Sequence, residues 1–140
     1  MKQLQDETLA YALLRLTLGM NIFGHGFIRI VGGVSVFVAA QLTGFENTPL
    51  PLWFVEAFLV VVPFAELTIG LLVFVGLFSR AALAGGALLM TILTFGMSMQ
   101  SQFGITGLHL SYAVVYFILI FMRRYNTLSL DTLLRRAEVQ

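Results

Sequence analysis

Cysteine is absent from this chain of 140 residues, and charged side chains make up only 11% of it. The missing thiols exclude disulfides, thiolate metal sites, iron–sulfur clusters and thiol redox chemistry carried by the chain itself. Any redox role must therefore use a cofactor, a quinone or a partner protein. Charge is also scarce by comparison with an ordinary soluble domain, in which roughly 25% of residues are charged. Together with 59% hydrophobic residues, this scarcity predicts an integral membrane protein.

The remaining composition narrows the expected surroundings and partners. The net charge is +1, and the basic residues stand at the ends of apolar segments, so the partner we expect is the lipid bilayer and not nucleic acid. A chain of this length holds about four spans of roughly 20 residues, which predicts a single integral membrane domain over residues 1–140 and no separate soluble catalytic domain. Arg15 interrupts the first apolar segment, so we expect a retained helix there and not a cleaved signal peptide.

Four apolar segments predict an all-α fold, a four-helix transmembrane bundle. The spans are expected at about residues 9–31, 52–77, 81–99 and 107–122. The stretch between the first two spans mixes apolar residues with Gly and Pro, which predicts a short segment at the membrane interface. Leucines beside Arg135 and Arg136 predict a short amphipathic tail on the membrane surface.

The distribution of basic residues predicts the orientation of the bundle. In a four-span arrangement one side carries Lys2, Arg80, Arg123, Arg124, Arg135 and Arg136. The positive-inside rule then places both termini in the cytoplasm and the long first loop outside.

Glu66 lies near the middle of the second apolar segment, where an ionised carboxylate costs roughly 2.5 kcal/mol or more. Such a group faces other helices, finds a partner or carries a proton. One hypothesis is a structural ion pair with Arg15, which would fix helix register. The other is that Glu66 carries a proton, either to a reduced quinone or in coupled transport.

Helical projection groups the polar side chains of each span on one face, and estimated heights place most of these faces in one layer. This layer predicts a ligand site inside the bundle. Its candidate ligand-binding residues are Asn21, His25 and Arg29 on the first span, Glu56 on the second, Ser98 on the third, and His109 and Tyr112 on the fourth.

His25 stands between Gly24 and Gly26, whose small size leaves room for a flat group beside the imidazole. A quinone or similar ring that accepts a hydrogen bond would fit there. The alternative is a core histidine whose hydrogen bonds are made by Asn21 or Glu56.

A second alternative uses His25 and His109 as axial ligands to a haem, or as metal ligands with Glu66. No haem-attachment motif, His-x-x-x-His pair or carboxylate cluster supports it. We therefore predict no metal site and do not expect haem.

The order of motifs resembles the DoxX/DoxD-like family of small four-span bacterial membrane proteins over nearly the whole chain. The motifs are Leu-Arg-Leu-Thr-Leu-Gly at 14–19 followed by His25-Gly26, and Glu-Leu-Thr-Ile-Gly-Leu-Leu at 66–72 running to Gly-Leu-Phe-Ser-Arg-Ala at 76–81. Arg29 stands where the family often has a basic residue after the His-Gly pair. The resemblance implies a four-helix bundle in the bacterial cytoplasmic (inner) membrane and an association with redox systems. These include a subunit of thiosulfate:quinone oxidoreductase and membrane partners of oxidative-stress enzymes.

Together, these observations favour a redox-associated membrane subunit, at most one subunit of a quinone-linked oxidoreductase with a redox partner protein. A quinone or similar ring would lie between the polar faces, with His25 and His109 as hydrogen-bonding groups and Glu66 as proton carrier. Two alternatives stay open. One is a small proton-coupled transporter that works as a homo-oligomer, and the other is a membrane scaffold that recruits a soluble redox enzyme through the basic tail.

Overall fold

The computed structural model describes residues 6–138, and the regular structure in this range is entirely helical, which confirms the predicted all-α class. Single 3₁₀ turns lie at Thr43–Phe45 and Arg123–Tyr125. The α-helices of this range are α1 (Asp6–Val31), α2 (Val34–Leu42), α3 (Leu52–Val75), α4 (Ser79–Met99), α5 (Phe103–Phe121) and α6 (Leu130–Ala137). Lys2, on which the predicted orientation partly rests, lies outside the described residues.

Three of these helices, α3, α4 and α5, are each long and apolar enough to cross a membrane. Helix α1 contains Arg15 and Arg29 and reaches the same standard only together with the segment Val34–Phe45. The two pieces meet at an angle of 100° beside Gly33, whose φ of 97° favours glycine. The described residues therefore contain three candidate spans, or four if the bent pair forms one span.

A tight turn connects α3 to α4. Gly76 ends α3 in the left-handed conformation, and its amide donates to the carbonyl of Leu72. Phe78 has a φ of 48° and directly precedes α4. Because the turn is so short, α4 runs back along α3.

Glycines let the helices approach closely in pairs. Gly19 and Gly26 of α1 lie directly against the α3 backbone, and Gly70 of α3 lies against the α1 backbone, so a Cβ at any of the three would collide with its neighbour. In the second pair, Gly86 of α4 receives the ring of Tyr116 from α5. The long helices thus pack in two pairs, α1 on α3 and α4 on α5, with a seam between the pairs.

Helix α2 covers one end of the seam. A cluster of buried apolar residues, which includes Val38, Val55 and Leu59, packs α2 against α3. The Gln100 side chain lies against Gly44, so the α4–α5 turn meets the segment after α2 at this end of the seam.

The C-terminal tail is fixed at the opposite end. The two carboxylate oxygens of Asp131 accept hydrogen bonds from the amides of Phe78 and Ser79, each at 2.8 Å. The Asp131 amide donates to the carbonyl of Gly76, and Asn126 donates to the hydroxyl of Ser79. Helix α6 is therefore attached to the α3–α4 turn by polar contacts, while its leucines remain exposed.

Candidate functional site

Glu66 pairs with Arg29. One guanidinium nitrogen, Nη1, donates to both carboxylate oxygens at 2.5 Å. Glu66 is only 3% exposed, so this contact gives a buried carboxylate its counter-ion. The guanidinium carbon of Arg29 also lies 4.6 Å from the ring centre of Phe37 in α2, which is a cation–π distance.

The predicted ion pair between Arg15 and Glu66 is wrong. Arg15 is buried and donates to the carbonyls of Val73 at 2.7 Å, Phe74 at 2.6 Å and Leu128 at 2.8 Å. The first two acceptors belong to the last turn of α3, whose carbonyls have no partner within the helix. A cation at a helix C-terminus is also favoured by the helix dipole. Arg15 therefore caps the C-terminus of α3 and also binds the C-terminal tail at the carbonyl of Leu128.

The register between α1 and α3 explains why Glu66 pairs with Arg29 and not with Arg15. Gly19 faces Phe74 and Gly26 faces Leu67, so the two antiparallel helices are fixed at both contacts. Glu66 then faces the last turns of α1. Arg15 lies about 10 Å further along α3, because seven residues of helix separate Glu66 from the carbonyl of Val73. Sequence spacing alone does not show that Arg29, and not Arg15, lies opposite Glu66.

A cavity of about 260 Å³ lies beside the Arg29–Glu66 pair, in the seam between the helix pairs and under α2. It has both polar and apolar walls. Its polar lining consists of His25, Arg29, Gln41, Glu66, His109 and Tyr112. Its apolar lining consists of Ile22, Phe37, Leu59, Val62, Met90, Leu93, Met97, Ile105 and Leu108.

Most of the predicted site residues meet at this cavity. Among those named from the sequence, His25, Arg29, Glu66, His109 and Tyr112 line it. Asn21 is exposed and does not line the cavity, and its side-chain oxygen accepts a hydrogen bond from the Tyr112 hydroxyl at 3.0 Å. That bond joins α1 to α5 across the seam.

Two predicted ligand-binding residues lie elsewhere. Glu56 is exposed and lines a separate cavity of about 430 Å³ between α2 and α3. Ser98 donates to the carbonyl of Thr94 in its own helix at 2.8 Å. Helical projection predicts the face on which a residue lies but not the neighbour that covers that face.

His109 carries an unpaired polar atom at the cavity. Its Nδ1 is buried and finds no hydrogen-bond partner among the described residues. Buried polar atoms in native proteins are nearly always paired, so this nitrogen is available to a bound molecule. Together with the Tyr112 hydroxyl and the His25 imidazole, it gives the cavity groups that can donate and accept hydrogen bonds.

Phe37 and Gln41 are site residues that the sequence analysis missed. Both belong to α2, which we placed at the interface and not over a site. The available signal is Gln41, a polar side chain in a mostly apolar segment. The sequence does not reveal the 100° bend, so it does not indicate that this side chain lies over the cavity.

In residues 6–138, no cluster of three or more His, Cys, Asp or Glu is placed to hold a metal ion.

Comparison with known proteins found no matching family model, no matching curated protein and no matching solved structure. The relation to the DoxX/DoxD-like family therefore stays a prediction from the motifs.

Proposed function

We propose that this protein is a redox-associated membrane subunit that binds the headgroup of a quinone, or a similar small ring, in the cavity beside Arg29 and Glu66. The observation that carries the proposal is the cavity itself. It joins a partly buried ion pair, two imidazoles and a tyrosine hydroxyl to an apolar space of about 260 Å³. Sites for small molecules combine apolar walls with a few convergent polar groups in this way.

The residues fit a quinone headgroup by size and by chemistry. The cavity is slightly smaller than the roughly 300 Å³ at which drug-sized sites begin, which suits a single substituted ring. Phe37, Met90 and Met97 offer apolar and polarizable surface to the faces of such a ring. The imidazoles of His25 and His109 would donate to its carbonyl oxygens. The Tyr112 hydroxyl, which donates to Asn21, would accept a hydrogen bond from a hydroxyl of the reduced ring. When bound, a quinone supplies a carrier for two electrons and two protons.

The side of the cavity near α5 gives a lipid-soluble molecule a route of entry. Ile105 and Leu108 line the cavity and are 42% and 61% exposed. Apolar side chains that reach both the cavity and the outer surface allow a hydrocarbon tail to remain in lipid while the ring lies inside.

Glu66 is the group that would move a proton at this wall, with Arg29 as its counter-ion. A carboxyl group can give a proton to a hydrogen-bonded oxygen or take one from it. Arg29 stabilises the carboxylate that remains after the proton leaves. Electrons would come from a partner protein, because the chain has no cysteine for redox chemistry of its own.

The proposal includes a four-span bundle in the bacterial cytoplasmic membrane, with both termini inside and α2 at the outer interface, as in the DoxX/DoxD-like family. Two contacts support this arrangement. Asp131 attaches the tail to the α3–α4 turn at one end, and Gln100 meets Gly44 at the other. The exposed leucines of α6 would then lie on the inner membrane surface.

Quinone binding by the purified full chain tests the proposed function. We expect saturable binding of a short-chain ubiquinone or menaquinone analogue, with affinity at least tenfold weaker in His25→Ala and in Glu66→Gln. Glu56→Gln is the matched control, because it removes a carboxylate from the same helix outside the cavity. Equal affinity in the wild type and both site variants would reject the site.

A proton-coupled transporter is the second candidate, and one observation favours it. The carboxylate of Glu66 lies on a cavity wall beside the 100° break between α1 and α2, and transporters often bind substrates at broken helices. Proteoliposomes with an imposed pH gradient separate the two functions. Proton-driven flux that disappears in Glu66→Gln and persists in Glu56→Gln would favour transport over quinone binding.

A further inference from the structure

A second polar cavity, of about 500 Å³, lies at the opposite end of the bundle, where the α3–α4 turn, the end of α5 and helix α6 meet. Arg123, Arg124 and Arg135 line it. An adjoining cavity of about 360 Å³ shares Arg123 and Ile120 with it and adds Arg80. We call these two cavities together the basic groove.

The basic groove has an excess of positive charge. Within residues 6–138, none of its four arginines forms an ion pair. The groove also contains the Asp131 carboxylate, but this group already accepts hydrogen bonds from the amides of Phe78 and Ser79. The groove is therefore lined by four guanidinium groups and one carboxylate that is already hydrogen-bonded. A bound anion would neutralise the remaining positive charge. Guanidinium groups match the oxygens of a phosphate group in charge and geometry.

Apolar side chains continue the groove toward the membrane-spanning part of the bundle. Ile120 and Phe121 line it, and Phe121 is 77% exposed. Ala84 of α4 leaves space beside Ile120 in the adjoining cavity. A ligand that fills the whole groove therefore carries both an anion and a hydrocarbon chain.

We propose that the basic groove binds the phosphate of an anionic phospholipid, whose acyl chains lie over Ile120 and Phe121. Basic pockets at the ends of membrane helices recognise such headgroups through charge and hydrogen bonding. The apolar side chains of Ile120 and Phe121 favour a lipid over free phosphate, because free phosphate has no apolar part to pack against them. The excess of positive charge favours an anionic lipid over a zwitterionic one. This site is independent of the quinone cavity.

Native mass spectrometry of the full chain, released from detergent after titration with lipid, tests the proposal. The probes are phosphatidylglycerol and phosphatidylcholine with the same acyl chains. We expect phosphatidylglycerol to bind more tightly. Arg123→Gln and Arg135→Gln should each weaken its binding about fivefold, and more at low than at high salt. Arg136→Gln is the matched control, because Arg136 neighbours Arg135 on α6 and lies outside the groove.

Specific outcomes would overturn the proposal. Equal affinity for the two lipids would show that the groove does not recognise the charge of the headgroup. An equal loss in Arg136→Gln would reduce the effect to general surface charge. Displacement of phosphatidylglycerol by millimolar inorganic phosphate would identify free phosphate as the ligand instead. Arg135→Lys keeps the charge on exposed α6 and serves as a second variant that does not disturb folding. Retained binding in Arg135→Lys with loss in Arg135→Gln supports the site, whereas retained binding in both contradicts it.

Discussion

Arg29 and Glu66 join α1 to α3 at a point where a cavity lies between the helices. A carboxylate that is 3% exposed needs a counter-ion, and Arg29 provides it without leaving the cavity wall. The same two residues therefore hold the helices together and offer charge to a bound molecule.

Removing one member of the pair should destabilise the protein more than removing both. Arg29→Gln leaves Glu66 buried without a counter-ion, and we expect the free energy of unfolding to fall by about 3 kcal/mol. The double variant with Glu66→Gln should recover most of that loss, because two neutral amides can hydrogen-bond to each other. Unfolding in detergent micelles measures the free energies of unfolding of Arg29→Gln, Glu66→Gln and the double variant. Additive losses would show that the two side chains are not coupled.

The partner of Glu66 could not be predicted from residue type and height alone. Arg15 and Arg29 lie on the same polar face of α1, and both can reach along a neighbouring helix. The choice between them depends on the contacts of Gly19 and Gly26 with α3, because these contacts set the register. Projection of one helix contains no information about the position of another.

At the scale of the elements, the close approach of α1 to α3 depends on particular glycines. Gly26 lies against the backbone of Pro63 and Leu67, whereas Gly24 of the same helix has open space around its Cα. We expect Gly26→Ala to lower the free energy of unfolding by about 1–3 kcal/mol, since the helices must move apart. Gly24→Ala should have no effect or stabilise slightly, because Ala favours helix. Equal effects of the two substitutions on the melting temperature would contradict the close contact.

The attachment of α6 to the α3–α4 turn should depend on pH. Partial burial alone would raise the pKa of Asp131, but hydrogen bonds from Ser79 and Phe78 and the charge of Arg135 outweigh it and hold this pKa below its ordinary value of 3.8. Because the folded-state pKa is the lower one, the stabilisation is fully present above pH 3.8. It is lost as the pH falls through the folded-state value.

Asp131→Asn isolates this effect. Above pH 3.8 we expect the variant to be less stable by about 1 kcal/mol, which is typical for loss of a helix N-terminal cap. The difference in melting temperature between the wild type and Asp131→Asn should shrink as the pH is lowered further. A difference that stays constant down to pH 2 would show that the carboxylate charge plays no part in holding α6.

Hydropathy was sufficient to predict the helices but not the bend that places α2. Helices α1, α3, α4 and α5 cover the four apolar segments recognised in the sequence. The 100° turn at Gly33 was not predictable, because Gly-Gly indicates a break without giving its angle. Phe37 and Gln41 line the cavity because of that bend, so the sequence alone does not predict them as site residues.

At the scale of the whole molecule, the proposed topology predicts that the two ends of the bundle face different compartments. Thr127 lies in the exposed segment before α6, and Gln102 lies in the exposed α4–α5 turn. The chain has no cysteine, so Thr127→Cys and Gln102→Cys each introduce a single reactive site. We expect a membrane-impermeant maleimide to label Gln102→Cys in intact cells, and Thr127→Cys only after the membrane is opened. Labelling of both from the same side would contradict the four-span topology.

The cavity is a property of the assembled molecule, and the sequence predicted its residues better than its shape. Polar faces on separate helices indicated that Glu66, His25, His109 and Tyr112 could meet. The space between them arises because α1 packs mainly on α3 and α4 mainly on α5, which leaves the seam open under α2. No single segment of the chain encodes that gap.

A structure of the full chain determined in lipid with added quinone tests the central claim most directly. The proposed function predicts density for a ring between His25, Glu66 and His109, with a carbonyl oxygen within hydrogen-bonding distance of the buried Nδ1 of His109. A ring bound elsewhere, or a cavity closed by its own side chains at saturating quinone, would contradict it.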